Sequence, residues 1–307
     1  MRILVTGASG LLGTKLSEMA LSQDHEVYSA YNTHRPLYGN PIQLDVSDKD
    51  AVEKAFRKIR PEVVVHAAAL TNVDKCELER ELAWRINVEG TENIARLCRR
   101  YDAFLVYVST DYVFDGEAGM YRETDEPSPI NYYGLTKLVG EERVKTVADE
   151  FCIARASVIY GSVPAAGKVN FALWLLEKLG NEEKAKVVTD QWNSPTLNTN
   201  LAKMVLEVAE RKMTGTYHLA GATRISRYDF AKLIAENFNL DEQLIIPASS
   251  DQFKWAAKRP KDSSLNTQKA QHMLKNKPLK VEQAVAIMKD ELLEKRDALP
   301  QTLRKLF

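Results

Sequence analysis

Apolar residues in this chain gather into short continuous runs rather than long alternating stretches. Ile3-Leu4-Val5, Val63-Val64-Val65 and Phe104-Leu105-Val106-Tyr107-Val108 have the length and β-branched character of strands buried on both faces. The segments 25–31 and 42–44 read as two further strands. Between the runs, apolar residues recur at helical spacing. Leu11, Leu12, Leu16 and Met19 follow the first run, and a helix from Ser47 to Ile59 takes Ser47 as its cap, with Asp48 and Asp50 in its first turn. A third helix is expected over 82–100. Strands alternating with helices at this interval predict a parallel sheet covered on both faces, with a ligand at the carboxyl ends of its strands.

The rhythm loosens after about residue 155. Cys152 to Ala156 fits another sheet strand, Val187-Val188 a short strand, and 215–219 a longer one. Helices are expected over 170–179, 197–212, 226–237 and 281–295. The expected fold class is therefore α/β: a Rossmann-type, doubly wound parallel sheet with a smaller C-terminal α/β substrate lobe. Residues 1–155 would form the nucleotide-binding domain and 156–307 mainly the lobe, with segments near 187–220 returning to the sheet.

Composition narrows the function. The 307 residues carry 42 basic and 42 acidic side chains, a formal net charge of zero. That balance argues against a general nucleic-acid or anionic-membrane binder. No apolar run is long enough to span a bilayer, and the N-terminus enters the first strand directly, so no secretory signal is expected. Cys76, Cys98 and Cys152 are far apart and form no paired motif, which fits a reduced, cytoplasmic protein. The five histidines show no ligand spacing, and no metal site is expected.

Two short stretches carry chemistry. Gly7, Gly10 and Gly13 follow the first strand at three-residue spacing and open its helix. Such a turn lets backbone approach a pyrophosphate, and the helix N-terminus offers free N–H groups and a positive dipole end. Further on, Ser109-Thr110-Asp111 ends a strand, and Tyr133 and Lys137 share one face of an expected helix. A free tyrosine has a pKa of about 10; a neighbouring ammonium should draw it toward neutrality. Tyr133 could then exchange a proton with a carbonyl oxygen that Thr110 also hydrogen-bonds, while a nicotinamide supplies hydride.

With these residues in place, the chain resembles the extended short-chain dehydrogenase/reductases, and within them the dTDP-4-dehydrorhamnose reductase family. The likeness rests on GASGLLG at 7–13, STDYVFDG at 109–116 and YGLTK at 133–137. It extends through HAAALTNVDKCE at 66–77, DQWNSPT at 190–196 and RPKDSSLNT at 259–267. It implies that Thr110, Tyr133 and Lys137 are the catalytic triad. Gly7, Ser9, Gly10, Leu11, Leu12 and Gly13 would hold the pyrophosphate. Asp45 and Val46 would contact adenine, and Ala67, Ala68 and Ala69 would line the ribose and nicotinamide. Thr71, Val73 and Asp74 would open the sugar pocket. Asn170, Phe171, Gln191 and Arg259 would hold the nucleotide-sugar, with Arg259 suited to a diphosphate. Phe171 also reads as core packing and Arg259 as a surface ion pair. The family pattern has Asn where this chain has Asp262, and Asp where it has Asn266.

No acid follows the second strand, where NAD-selective sites carry one. Arg35, with His34, suits a 2′-phosphate, and Asn32 is a further cofactor-binding candidate, so the expected cofactor is NADP, with NAD use left open. The expected reaction is NADPH-dependent reduction of a nucleotide-linked 4-ketosugar, dTDP-4-dehydro-rhamnose first. A homodimer is compatible with this reading. An alternative is a non-catalytic subunit like the regulatory β-subunit of methionine adenosyltransferase, whose partner would be that enzyme. Thr110 favours the reductase, because the β-subunit pattern has Ser there. A reductase or epimerase of another nucleotide-sugar is the third reading.

Overall fold

The computed structural model describes residues 1–163, 169–296 and 301–304. Its first half alternates strand and helix: β1 (Arg2–Thr6), α1 (Leu11–Ser22), β2 (Glu26–Tyr31), β3 (Asn40–Gln43), α2 (Lys49–Ile59), β4 (Val63–His66), α3 (Val73–Leu78), α4 (Arg80–Trp84), α5 (Gly90–Arg100), β5 (Phe104–Thr110), α6 (Tyr132–Val147) and β6 (Phe151–Ala156). Then come β7 (Ile159–Tyr160), α7 (Phe171–Gly180), β8 (Ala185–Val188), β9 (Trp192–Asn193), β10 (Thr196–Leu197), α8 (Asn198–Glu210), β11 (Gly215–His218), β12 (Ile225–Ser226), α9 (Arg227–Asn237), β13 (Ile245–Ala248), α10 (Gln268–Met273), α11 (Val281–Glu294) and α12 (Gln301–Arg304).

Seven strands form one sheet in the order β11-β6-β5-β4-β1-β2-β3, with every neighbouring pair parallel. Strand order reverses between β1 and β4, which is where an open α/β sheet leaves a crevice at its carboxyl edge. Alternate side chains of each strand go to opposite faces. Ile3, Val5, Val65, Phe104 and Val106 pack against Leu12 and Leu16 of α1 and Leu201 and Val205 of α8. Leu4, Val64, Leu105 and Ile153 pack against Phe56 of α2, Ile94 of α5 and Val144 of α6. Each fully buried side chain of this size contributes about 1.5–3 kcal/mol. All three cysteines are free and buried.

A separate apolar cluster joins α7, α9 and α11 through Leu176, Phe230, Ile234, Val285 and Met288. Here the strands are short and pair in twos. Val187 and Val188 belong to β8, which pairs with β13 rather than returning to the main sheet; only β11 of that region does. Among the described residues, no helix is long and apolar enough to cross a membrane.

Two local expectations change. Asp48, not Ser47, caps α2, accepting from the N–H groups of Asp50 and Ala51. Ser47 instead donates to Asp45, through both its amide and its hydroxyl. The helix expected over 82–100 is interrupted by a π turn at Arg85–Glu89. Within that turn Asn87 is fully buried, and its side-chain amide bonds both main-chain groups of Leu70 and the hydroxyl of Thr136.

Candidate active site

The crevice at the switch point is a cavity of about 650 Å³. Its floor is the turn from β1 into α1. Gly7 has φ +68°, and a Cβ there would stand 2.8 Å from the Ala68 nitrogen; one on Gly13 would stand 2.3 Å from the Gly7 carbonyl oxygen. The turn therefore stays bare backbone. No side chain caps α1, so the first N–H groups of the helix remain open toward the cavity. That cradle fits a dinucleotide pyrophosphate.

The strand ends beside it are locked by buried polar bonds. Thr91 Oγ1 donates to the Asn87 carbonyl, so it must accept from His66 Nε2 at 3.1 Å. His66 Nδ1 is then left to accept from Thr6 Oγ1 at 2.7 Å, and Thr6 accepts from the Ala68 amide. This ring of bonds needs a neutral imidazole, and burial drives the His66 pKa down to about 3. It fixes the Ala67–Ala69 turn against β1.

Thr110 ends β5, and Tyr133 and Lys137 lie one turn apart on α6, which Asn131 caps through the Gly134 amide. All three line the cavity. Lys137 is buried; its Nζ donates to the Val108 carbonyl at 2.8 Å and stands 4.1 Å from the Tyr107 ring centre. Burial lowers its pKa to about 7, against an opposing pull from Glu141. Tyr133 presents partial surface to the cavity, yet protein encloses it closely. Burial therefore raises its pKa well above that of a free phenol, with the Thr110 hydroxyl pulling the other way. The expected approach toward neutrality is overturned: desolvation outweighs the ammonium, which is turned to the Val108 carbonyl.

Behind this trio lies a second buried layer. Arg155 of β6 grips both carboxylate oxygens of Glu141 on α6, and Ser109 donates to Glu141 at 2.6 Å. Asp111 accepts from Thr110, Ser157 and Ser263. Val158, also on the cavity wall, has φ +36°, a strained setting for a β-branched residue.

Most sequence-predicted residues meet in this cavity: Gly7, Ser9, Gly10, Leu11, Leu12, Gly13, Asn32, Asp45, Val46, Ala67, Ala68, Ala69, Thr71, Val73, Asn170 and Phe171 all line it. Four do not. Arg35 is exposed and outside the lining; His34 occupies the wall instead. Asp74 and Arg259 satisfy each other at 2.9 Å, Asp74 also accepts from the Ala257 amide, and Arg259 stacks over Trp255. Gln191 is buried outside the lining, and its side-chain nitrogen has no partner among the described residues. Asn170 spends its side chain capping α7 and bonding Gly161. The residues missed include Tyr112, whose ring meets Tyr133 edge-on at 6.0 Å, and Arg227. Arg227 opens α9 directly after a Ser N-cap, a sequence signal for a helix start but not for a cavity.

A parallel sheet with its strand order reversed beside a bare glycine turn, and a Thr-Tyr-Lys trio facing that turn, define a Rossmann-type oxidoreductase. The chain belongs to the RmlD substrate binding domain family, whose model matches residues 1–294. Among solved structures, it resembles a dTDP-4-dehydrorhamnose reductase from Bacillus anthracis in complex with NADP. That likeness has 33% identity and a TM-score of 0.84, covering 94% of this chain and 99% of the other. The "Probable low-salt glycan biosynthesis reductase Agl14" of Haloferax volcanii is 34% identical over 269 residues, 87% of this chain and 90% of the relative. Methionine adenosyltransferase 2 subunit beta of Xenopus laevis is 33% identical over 278 residues, 89% and 82% respectively.

Proposed function

We propose that this protein reduces the 4-ketone of a nucleotide-linked sugar with NADPH, with dTDP-4-dehydro-rhamnose as the first candidate. The observation that carries this reading is the convergence of the open α1 N-terminus with Thr110, Tyr133 and Lys137 in one cavity. The Bacillus anthracis reductase with bound NADP supports it. When bound, NADPH supplies the hydride. Tyr133 gives its proton to the ketone oxygen. Its raised pKa keeps the phenol protonated at neutral pH, as a donor for reduction must be. The Thr110 hydroxyl, which lies against Tyr133, would hydrogen-bond the same oxygen. Lys137, one turn along α6 with its Nζ on the Val108 carbonyl, would stabilise the phenolate left behind. Asp45 and Val46 would hold the adenosine end, and His34 and Asn32, which line the cavity where Arg35 does not, would meet a 2′-phosphate.

The test is NADPH oxidation on dTDP-4-dehydro-rhamnose, with NADP binding measured beside it. Tyr133→Phe should lower kcat about 10²- to 10⁴-fold and leave NADP affinity unchanged. Undiminished turnover by that variant sinks the assignment.

The β-subunit likeness supports a second reading, a cofactor-binding subunit of methionine adenosyltransferase. In this chain Leu303 of α12 is buried in the lobe cluster. A partner docking through the apolar side of α12 would have to withdraw it. Absence of turnover, with capture of a methionine adenosyltransferase, would select this reading.

A further inference from the structure

The sequence-predicted diphosphate cation, Arg259, is consumed by Asp74 and by the carbonyl of Ala257. The cavity itself holds another guanidinium. Arg227, half-buried at the first position of α9, is the only arginine among the cavity-lining residues. Among the described residues no carboxylate lies within ion-pairing distance of it, although it is charged and faces an enclosed space. It acts on Asp111 through space, but Asp111 already takes three hydroxyl donors. Its guanidinium carbon sits 5.7 Å from the ring centre of Phe171, a cation–π contact that orients the planar fork. It also stands against the Tyr112 phenol, opposing the rise that burial causes there. A cation so placed, without an anion, is built to receive one from solution.

We propose that Arg227 is the anchor for the substrate's diphosphate, resting on the nucleotide-sugar reading above. The cavity then has two anion stations: the α1 N-terminus for the cofactor and Arg227 for the substrate. Arg227 reaches Tyr112, and Tyr112 meets Tyr133 edge-on at 6.0 Å. The anion anchor is thereby set at a fixed remove from the proton donor. That spacing selects ketones carried on a nucleoside diphosphate over free ketosugars. Phe171, expected from sequence to touch substrate, acts here as the platform of the arginine.

The experiment compares dTDP with thymidine, and both with NADP, by calorimetry on the intact chain. Arg227→Gln should weaken dTDP about 10- to 100-fold, the scale of charge-assisted bonds to phosphate, and leave thymidine and NADP affinities unchanged. Arg227→Lys should recover part of the loss, because it restores the charge without the fork. With substrate, the Gln variant should raise KM and spare kcat. If wild type binds dTDP and Arg227→Gln binds it equally well, the anchor assignment is overturned and the reductase reading stands. If wild type binds NADP but not dTDP, the nucleotide-sugar reading falls and the anchor with it. Should Arg227→Gln misfold, a dTDP-to-thymidine preference kept in full by Arg227→Lys at high salt would also overturn the anchor.

Discussion

The two walls of the cavity are built by different means. The sheet-side wall is backbone and fully buried pairs: a glycine turn, parallel strand ends held by His66, and Arg155 locked onto Glu141. The lobe-side wall is side chains from distant segments: Phe171 on α7, Arg227 on α9, Val158 on the link between them and the sheet. The first wall has no slack. A Cβ at Gly13 would overlap the Gly7 carbonyl, and Arg155 and Glu141 side chains are 3% and 0% exposed. The second wall is half-open, and its groups can change without stranding a charge. A rigid wall suits the cofactor and proton transfer, which recur in every cycle. An adjustable wall suits the substrate, where specificity is set by a few contacts.

If that contrast is real, the largest effect belongs to Arg155. Arg155→Met leaves Glu141 charged and unpaired in the core, and should cost about 3–5 kcal/mol of stability in urea unfolding. Replacing Glu141 as well, with Leu, should return most of the loss, since a well-packed apolar pair can match a buried ion pair. A loss below about 1 kcal/mol for Arg155→Met alone would show that water reaches Glu141, and that the sheet-side wall is not closed.

Next in size is a pH effect from the same wall. Lys137 titrates at about 7 in the folded chain, lowered by burial, and at about 10.4 when unfolded. Between these values the unfolded chain holds a proton that the folded chain has released. Stability therefore rises with pH across that window, and the contribution is smallest below it. Lys137→Met removes the dependence. The urea midpoint of the wild type should gain on that of Lys137→Met between about pH 7 and about pH 10. A constant gap would mean that the buried amine keeps its proton.

What the sequence disclosed follows the same division. The glycine turn, the strands β1, β4 and β5, and the Tyr133–Lys137 pairing were legible because each is a local pattern of spacing and burial. The Asn87 π turn was not, because nothing near 87 signals that Leu70 needs its bonds. Nor was the direction of the Tyr133 shift, which depends on how tightly distant segments enclose it. Arg259 and Arg227 look alike in sequence; one is neutralised by a residue 185 positions away and the other is not. The two-residue strands β7, β9, β10 and β12 exist only as tertiary pairings, too short to show a period.

The smallest expected effect lies at the Asp74–Arg259 pair, and it separates the walls most sharply. Both residues were sequence candidates for substrate, yet they bond each other outside the cavity lining, with side chains 33% and 13% exposed. A partly exposed pair of this kind contributes about 0–1 kcal/mol. Asp74→Asn keeps the shape and an acceptor for the Ala257 amide, so its loss should fall below about 1 kcal/mol. Its KM for the nucleotide-sugar should stay within about 2-fold of wild type, because the freed Arg259 still rests on Trp255 outside the cavity. A KM rise of about 10-fold at unchanged stability would place Asp74 on the substrate instead. The lobe-side wall would then extend to α3, and Arg227 would share the diphosphate with Arg259 rather than hold it alone.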